Sequence, residues 1–235
     1  MPTEFRRRGF ALRAGFLTEA ECDRYCQSVR ALEAAEGLPL IERRARGRSL
    51  CYKVVDGARI DSALPGLADL SDRVSAAMER AIGESLRPLA DPLAARNVNV
   101  TPPGGGYRWH YDRNAVTAIL FLNEVPGGQT EMFPNYRVVV GPGRRRLQWS
   151  LDAVLRLRPV RRLFGRRVLV TPALGALLIM RGDRALHSVR MVGGVEDRMT
   201  VIIAYDIPGH DRPGLALDDY LYSAAPVLAG DPNYR

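Results

Sequence analysis

The chain's 235 residues suit one large domain better than two full catalytic ones, and with 46% apolar and 26% charged residues it has the make-up of an ordinary globular protein. No window approaches the run of about eighteen apolar residues that a membrane span needs, and the Gly9–Leu17 stretch after the basic N-terminus is broken by Arg13, so neither a span nor a signal peptide is read. The formal charge of +8 is uneven: ten arginines face a single acid, Asp152, between Arg137 and Arg167, which leaves the remainder of the chain close to neutral.

All 34 basic residues except Lys53 are arginines, a bias that fits a GC-rich genome better than a nucleic-acid-binding function. Cys22, Cys26 and Cys51 form an odd set without a second pair. That pattern suits reduced thiols and a cytoplasmic location.

In chain order, Thr18–Glu36 reads as a helix. Thr18 and Glu21 form a T-x-x-E capping box, and Gly37 stops the run. Cys22 and Cys26, at i and i+4, are expected to pack on its buried face rather than bind metal. A second helix is expected over about Leu67–Leu86, where Leu70, Val74, Ala77, Met78, Ala81 and Ile82 recur at helical steps.

The texture then changes to short runs: Asn97–Thr101, Ala115–Asn123, Thr130–Phe133, Arg167–Thr171, Ala176–Met180, His187–Val192 and Met199–Asp206. Glycine- and proline-rich turns bound them. The expected fold is mainly β with N-terminal helices on a double-stranded β-helix, a jelly-roll or cupin-like core. The expected organisation is a single domain over 1–235. It has a helical layer over 1–95, a jelly-roll core over 96–208, a basic insertion at about 137–167 and a C-terminal tail over 209–235. Within the insertion, Leu147–Leu157 is expected to be an amphipathic helix with Leu147, Leu151, Val154 and Leu155 on one side.

Three histidines occur: His110, His187 and His210. Along a strand, residues i and i+2 share a face, so His110 and Asp112 can converge on one point. His187 opens another expected strand. Two imidazoles and a carboxylate on one side of a divalent ion leave positions open for non-haem Fe(II) and oxygen, and the lack of a thiolate partner speaks against structural zinc. Arg198 opens the strand that ends the core and can grip a carboxylate with its guanidinium fork. Thr200, on the same face, can add a hydroxyl.

In these residues the chain resembles the Fe(II)- and 2-oxoglutarate-dependent dioxygenases, in particular the prolyl 4-hydroxylase-like branch. The resemblance runs through Gly106-Tyr107-Arg108-Trp109-His110-Tyr111-Asp112, Val116–Asn123, Gly127-Gly128-Gln129-Thr130-Glu131-Met132-Phe133-Pro134, Thr171–Gly175, His187-Ser188-Val189 and Arg198-Met199-Thr200. It implies that His110, Asp112 and His187 hold Fe(II) and that Arg198 pairs with the distal carboxylate of the co-substrate 2-oxoglutarate. Thr200 and Tyr107 would help in that pocket, and O2 is the oxidant, with succinate and CO2 released. The implied activity is hydroxylation of an unactivated C–H bond in a small metabolite or amino-acid-derived substrate; the alternatives are a residue in a peptide or protein, or a catalytically silent jelly-roll binding module. Desaturation, epimerisation and cyclisation draw on the same chemistry. Asp112 stands where halogenating relatives carry a small residue, which favours hydroxylation over chlorination.

Three features depart from the family. The strand after His110-x-Asp112 has no tyrosine in Leu120-Phe121-Leu122, the anion-binding residue is Arg rather than the Lys of collagen-type enzymes, and the Arg137–Arg167 insertion is long. They speak against a prolyl substrate. Trp109 can stack on a substrate or pack outside the barrel. The insertion can be a solvated loop, a cover at the site's mouth that gathers an anionic or carrier-tethered substrate, or a docking arm. With Trp149 and Phe164 as its only indole and phenyl groups, it makes a poor stacking platform for nucleic acid. His210 is expected to be solvent-exposed.

Overall fold

The computed structural model describes residues 2–43, 50–89, 91–141 and 143–210, with Leu221 and Ala224 beyond them. The N-terminal part runs α1 (Pro2–Arg8), β1 (Phe10–Arg13), α2 (Glu19–Glu36), β2 (Leu40–Arg43), β3 (Leu50–Val55), α3 (Gly57–Ala63), α4 (Pro65–Ala68), α5 (Leu70–Ile82), β4 (Arg87–Pro88) and α6 (Pro92–Ala95). The core follows as β5 (Arg96–Thr101), β6 (Tyr107–His110), β7 (Val116–Phe121), β8 (Thr130–Phe133), α7 (Arg145–Leu155), α8 (Arg158–Phe164), β9 (Val168–Val170), β10 (Leu177–Met180), β11 (Leu186–Val189) and β12 (Arg198–Asp206).

Two antiparallel sheets face each other. The larger has the order β1-β10-β7-β12-β5-β3-β2, with β4 on β12; the smaller has the order β6-β11-β8-β9. Strand alternation divides the side chains of the larger sheet between two cores. Val98, Val100, Leu120, Leu177, Val201 and Ile203 turn outward and pack with Cys22, Val29, Val74 and Met78 of the helices. Ile119, Phe121, Leu178 and Met180 turn inward against Met132 and Val170 of the smaller sheet. The expected jelly roll with N-terminal helices is the fold observed.

Residues 1–95, expected as a helical layer, also contribute β1, β2 and β3, which extend both edges of the larger sheet. β1 and β2 are four-residue strands without clean alternation, so only their pairing with β10 and β3 defines them. The expected Leu67–Leu86 helix is divided between α4 and α5. It ends early because Gly83 takes a left-handed conformation and donates its N–H to Glu79 O. Residues 211–220, 222–223 and 225–235 of the expected tail lie outside the described residues. Cys22 and Cys26 are buried, as expected.

The capping box of α2 forms: Thr18 Oγ1 accepts from Glu21 N at 3.3 Å, and Glu21 Oε2 accepts from Thr18 N at 2.8 Å. The Thr18 N–H and then Arg73, at 2.6 Å, hold the Glu21 carboxyl down from its ordinary 4.5 to about 2. A depressed carboxylate stabilises the fold above its unfolded pKa, and that contribution fades as pH falls from 4.5 towards 2. Glu21→Gln is therefore expected to cost about 1 kcal/mol at neutral pH and to flatten the acid limb of a denaturation series. An acid limb identical to that of the parent would show that the box contributes nothing.

Candidate metal centre and anion pocket

Antiparallel pairing of β6 with β11 sets His110 directly opposite His187. Their ring centroids are 4.1 Å apart and both side chains are buried. Asp112 does not lie on the strand, because β6 ends at His110. The same-face argument from alternation therefore reaches the right residue for a different reason: the loop is held by the Asp112 N–H on Gly182 O at 2.9 Å. Asp112 Oδ1 then stands 3.3 Å from His110 Nε2 and 3.4 Å from His187 Nε2. All three donor atoms lie within 4.8 Å of one another.

Backbone carbonyls fix the tautomers. His110 Nδ1 is 2.9 Å from Arg108 O and His187 Nδ1 is 2.9 Å from Ala185 O. A carbonyl only accepts, so in the neutral ring the proton sits on Nδ1 and the Nε2 lone pair faces Asp112. Burial, then the neighbouring His187 charge, pushes the His110 pKa down. For His187 burial is outweighed by the Asp112 carboxylate, and the net shift is upward. Burial is outweighed for Asp112 too, and the two imidazoles hold its carboxyl well below the usual range.

The donor set suits a divalent ion. Adjacent ligands about 2.1 Å from one ion, at right angles, lie about 3 Å apart, close to the separations found. The second carboxylate oxygen is already engaged. Thr117 Oγ1 donates to Asp112 Oδ2 at 2.5 Å and accepts from Asn114 Nδ2 at 2.8 Å. Gly182 leaves room for this arrangement, since a Cβ there would meet Asp112 Oδ2 at 2.2 Å and Thr117 Oγ1 at 2.7 Å.

Arg198 is 3% exposed at the start of β12. Among the described residues no carboxylate lies within salt-bridge distance of it. Its hydrogen bonds are two long ones: Nη1 donates to Thr200 Oγ1 and Nη2 to Thr130 Oγ1, each at 3.4 Å. Nε has no partner among the described residues. Burial pushes its pKa down to about 10, which leaves it charged at neutral pH. A buried guanidinium flanked by two hydroxyls has the donors and the charge to receive a carboxylate. Gly128 makes room for it, because a Cβ there would meet Arg198 Cδ at 2.9 Å.

The expected site residues thus fall into two groups. His110, Asp112 and His187 converge; Arg198 and Thr200 lie side by side in the interior; Tyr107 is brought against the His110 ring at 4.6 Å. Trp109 packs on the outer face, 5.5 Å from Phe133 and 4.3 Å from the Arg161 guanidinium. His210 is not exposed as expected. Its Nδ1 lies 3.1 Å from Asp206 Oδ1, out of line for a hydrogen bond, and its Nε2 lies 3.8 Å from Asp183 Oδ2. The two acids enclose it.

Sequence reading missed Asn114, Thr117 and Gly182 around Asp112, and Thr130 and Asn99 beside Arg198. Asn99 pairs across the sheet with Thr200, and its buried Oδ1 has no partner among the described residues. A threonine at 117 in an otherwise apolar strand, and the threonine of Gly127-Gly128-Gln129-Thr130, were the available signals.

No protein-family model matches the chain, and no curated protein matches it in sequence. Solved structures do match in fold, among them non-haem α-ketoglutarate-dependent enzymes and prolyl 4-hydroxylases. The epimerase SnoN from nogalamycin biosynthesis shares 21% identity at a TM-score of 0.70, over 98% of this chain and 92% of its own. SnoN has also been solved with Fe3+, α-ketoglutarate and nogalamycin RO. The carbocyclase SnoK from the same biosynthesis shares 18% identity at a TM-score of 0.66, over 86% and 80% of the two chains. A Pseudomonas putida prolyl-4-hydroxylase shares 19% identity at a TM-score of 0.55, over 88% and 97%. The double-stranded β-helix these structures share is therefore the fold of this chain.

Loss of the Asp112 support has a measurable consequence. Thr117→Val is expected to weaken Mn(II) or Fe(II) binding by about 10- to 100-fold in calorimetric titration, with Thr117→Ser restoring it. Unchanged affinity in the valine variant would remove Thr117 from the account. Gly182→Ala is expected to weaken binding at least as far, because the added methyl displaces Asp112 itself.

Proposed function

We propose that the chain is a non-haem Fe(II)- and 2-oxoglutarate-dependent oxygenase acting on a small-molecule substrate. The observation that carries this reading is the buried Arg198, without a carboxylate from the described chain, in the same fold as a converged His–Asp–His set. Neither feature is needed for a stable barrel, and a buried charge without a counter-ion works against one. A silent binding module has no reason to keep both.

In this reading His110 and His187 present Nε2 lone pairs, and Asp112 presents Oδ1 because Thr117 occupies Oδ2. These three hold the iron. Arg198 pairs with the distal carboxylate of 2-oxoglutarate, Thr200 and Thr130 keep its fork aimed, and Asn99 lines the same side. Bound iron and 2-oxoglutarate supply the oxidation of a C–H bond by O2, with succinate and CO2 released. The inward wall of Ile119, Phe121, Met132, Leu178 and Met180 excludes water from that chemistry.

Hydroxylation is the outcome we favour, with a carboxylate rather than a small residue at Asp112. Epimerisation and ring closure, named for SnoN and SnoK, call on the same residues with a differently placed substrate. A small molecule is favoured over a peptidyl residue because the SnoN likeness extends over nearly all of both chains. A cytoplasmic location fits the unpaired cysteines; among the described residues no helix is long and apolar enough to cross a membrane.

Anaerobic titration with Fe(II) and 2-oxoglutarate tests the reading directly. A visible charge-transfer band is expected only when both are present and is expected to vanish in His187→Ala. In Arg198→Ala the half-saturating 2-oxoglutarate is expected to rise by on the order of 10- to 100-fold, the equivalent of about 1.5–3 kcal/mol for a charge-assisted pair. A folded protein that gives no band would sink the oxygenase reading and put the binding module in its place.

A further inference from the structure

The basic insertion lies against the outer face of the smaller sheet and does not cover the metal centre. Tyr136 Oη donates to Leu155 O at 3.0 Å, Leu155 packs with Tyr111, Phe133 and Leu186, and Arg161 lies over Trp109. Asp152, the segment's single acid, is fully buried and taken up by Arg137 through Nε at 3.0 Å and Nη2 at 2.5 Å, with Gln148 Nε2 donating at 2.8 Å.

That buried polar cluster decides which way α7 faces. Gln148, Asp152 and Leu155 turn towards the protein, and the expected apolar stripe is split: Leu151 and Leu155 are half-buried, while Leu147 at 52% and Val154 at 49% are exposed. Leu157 at the joint and Leu163 and Phe164 on α8 continue the surface, the last two at 77% and 72%. Seven of the twelve exposed large apolar side chains among the described residues belong to 138–164. Arg144, Arg146, Arg158, Arg162 and Arg166 are exposed around them. Apolar clusters of this kind, rimmed by charge, mark interaction sites.

We propose that the α7–α8 hairpin docks an acidic amphipathic helix of a partner protein, whose apolar face covers Leu147, Val154, Leu157, Leu163 and Phe164 while its carboxylates meet the arginine rim. The exposed arginine rim calls for an acidic occupant. A second copy in a two-fold dimer would set the same arginines against each other. An anionic lipid surface would meet the same arginines and apolar side chains, and the vesicles in the test below separate it from a helix. Asp152 holds α7 through Arg137 and Gln148, so its exposed side chains stand on a fixed helix, a surface that suits the apolar face of a partner helix. The surface is independent of the oxygenase reading, since it lies on the opposite face of the sheet from His110.

The test uses the full chain and a fluorescent helical peptide with leucines on one face and glutamates on the other. A lysine version of the peptide and vesicles of phosphatidylcholine with phosphatidylglycerol serve as comparisons. Micromolar anisotropy binding of the glutamate peptide alone is expected, weakening with salt. Phe164→Ser and Arg162→Glu are each expected to raise Kd by about tenfold or more, with an unchanged circular dichroism spectrum. Equal binding of the lysine peptide, binding of neither peptide, recruitment by the vesicles, or a dimer dispersed by Phe164→Ser in sedimentation would each overturn the proposal.

Discussion

The pairing of β6 with β11 is the constraint on which the site depends. A one-residue slip in an antiparallel ladder turns every side chain to the other face. Such a slip would bury Trp109 or Tyr111 in the barrel and expose His110. The register is held from outside by packing of Trp109 and Tyr111 on Phe133, Tyr136 and Leu186, and from the other edge by β8, which pairs His187 with Met132. The histidines meet because the aromatic side chains that alternate with them have a core of their own.

The larger sheet plays the complementary part. Its outward face is committed to the helices and its inward face is graded. Apolar residues line the β7 and β10 side, while Asn99, Thr200 and Arg198 line the β5 and β12 side. One sheet supplies the two buried histidines and the other the buried arginine. Asp112 joins them, since its loop hydrogen-bonds to Gly182 beyond β10 and its carboxylate to Thr117 on β7.

What the sequence made legible follows from this arrangement. His110, Asp112, His187 and Arg198 stood out because their chemistry is rare in the chain and their order carries a pattern. The core strands stood out because each is a short apolar run between turns. Thr117 and Gly182 did not, because their importance lies in contacts with Asp112 that no local pattern records. β1 and β2 are too short for periodicity to reveal. The orientation of α7 was hidden for a third reason: the buried Arg137–Asp152 pair splits its apolar stripe, turning Leu155 towards the protein and leaving Leu147 and Val154 exposed. Local amphipathicity predicts a buried face only when no buried polar pair competes for it.

The uncompensated charge of Arg198 bears on the lifetime of the protein as well as on its chemistry. The described chain folds around a guanidinium that it does not neutralise, so an anion that binds there adds to the stability of the native state in proportion to the logarithm of its concentration. If that anion is a central carbon metabolite, the amount of folded protein follows the supply of the metabolite. A shortage then acts twice, slowing turnover and exposing the chain to proteolysis. Nutrient status would be written into protein abundance without any dedicated regulatory domain.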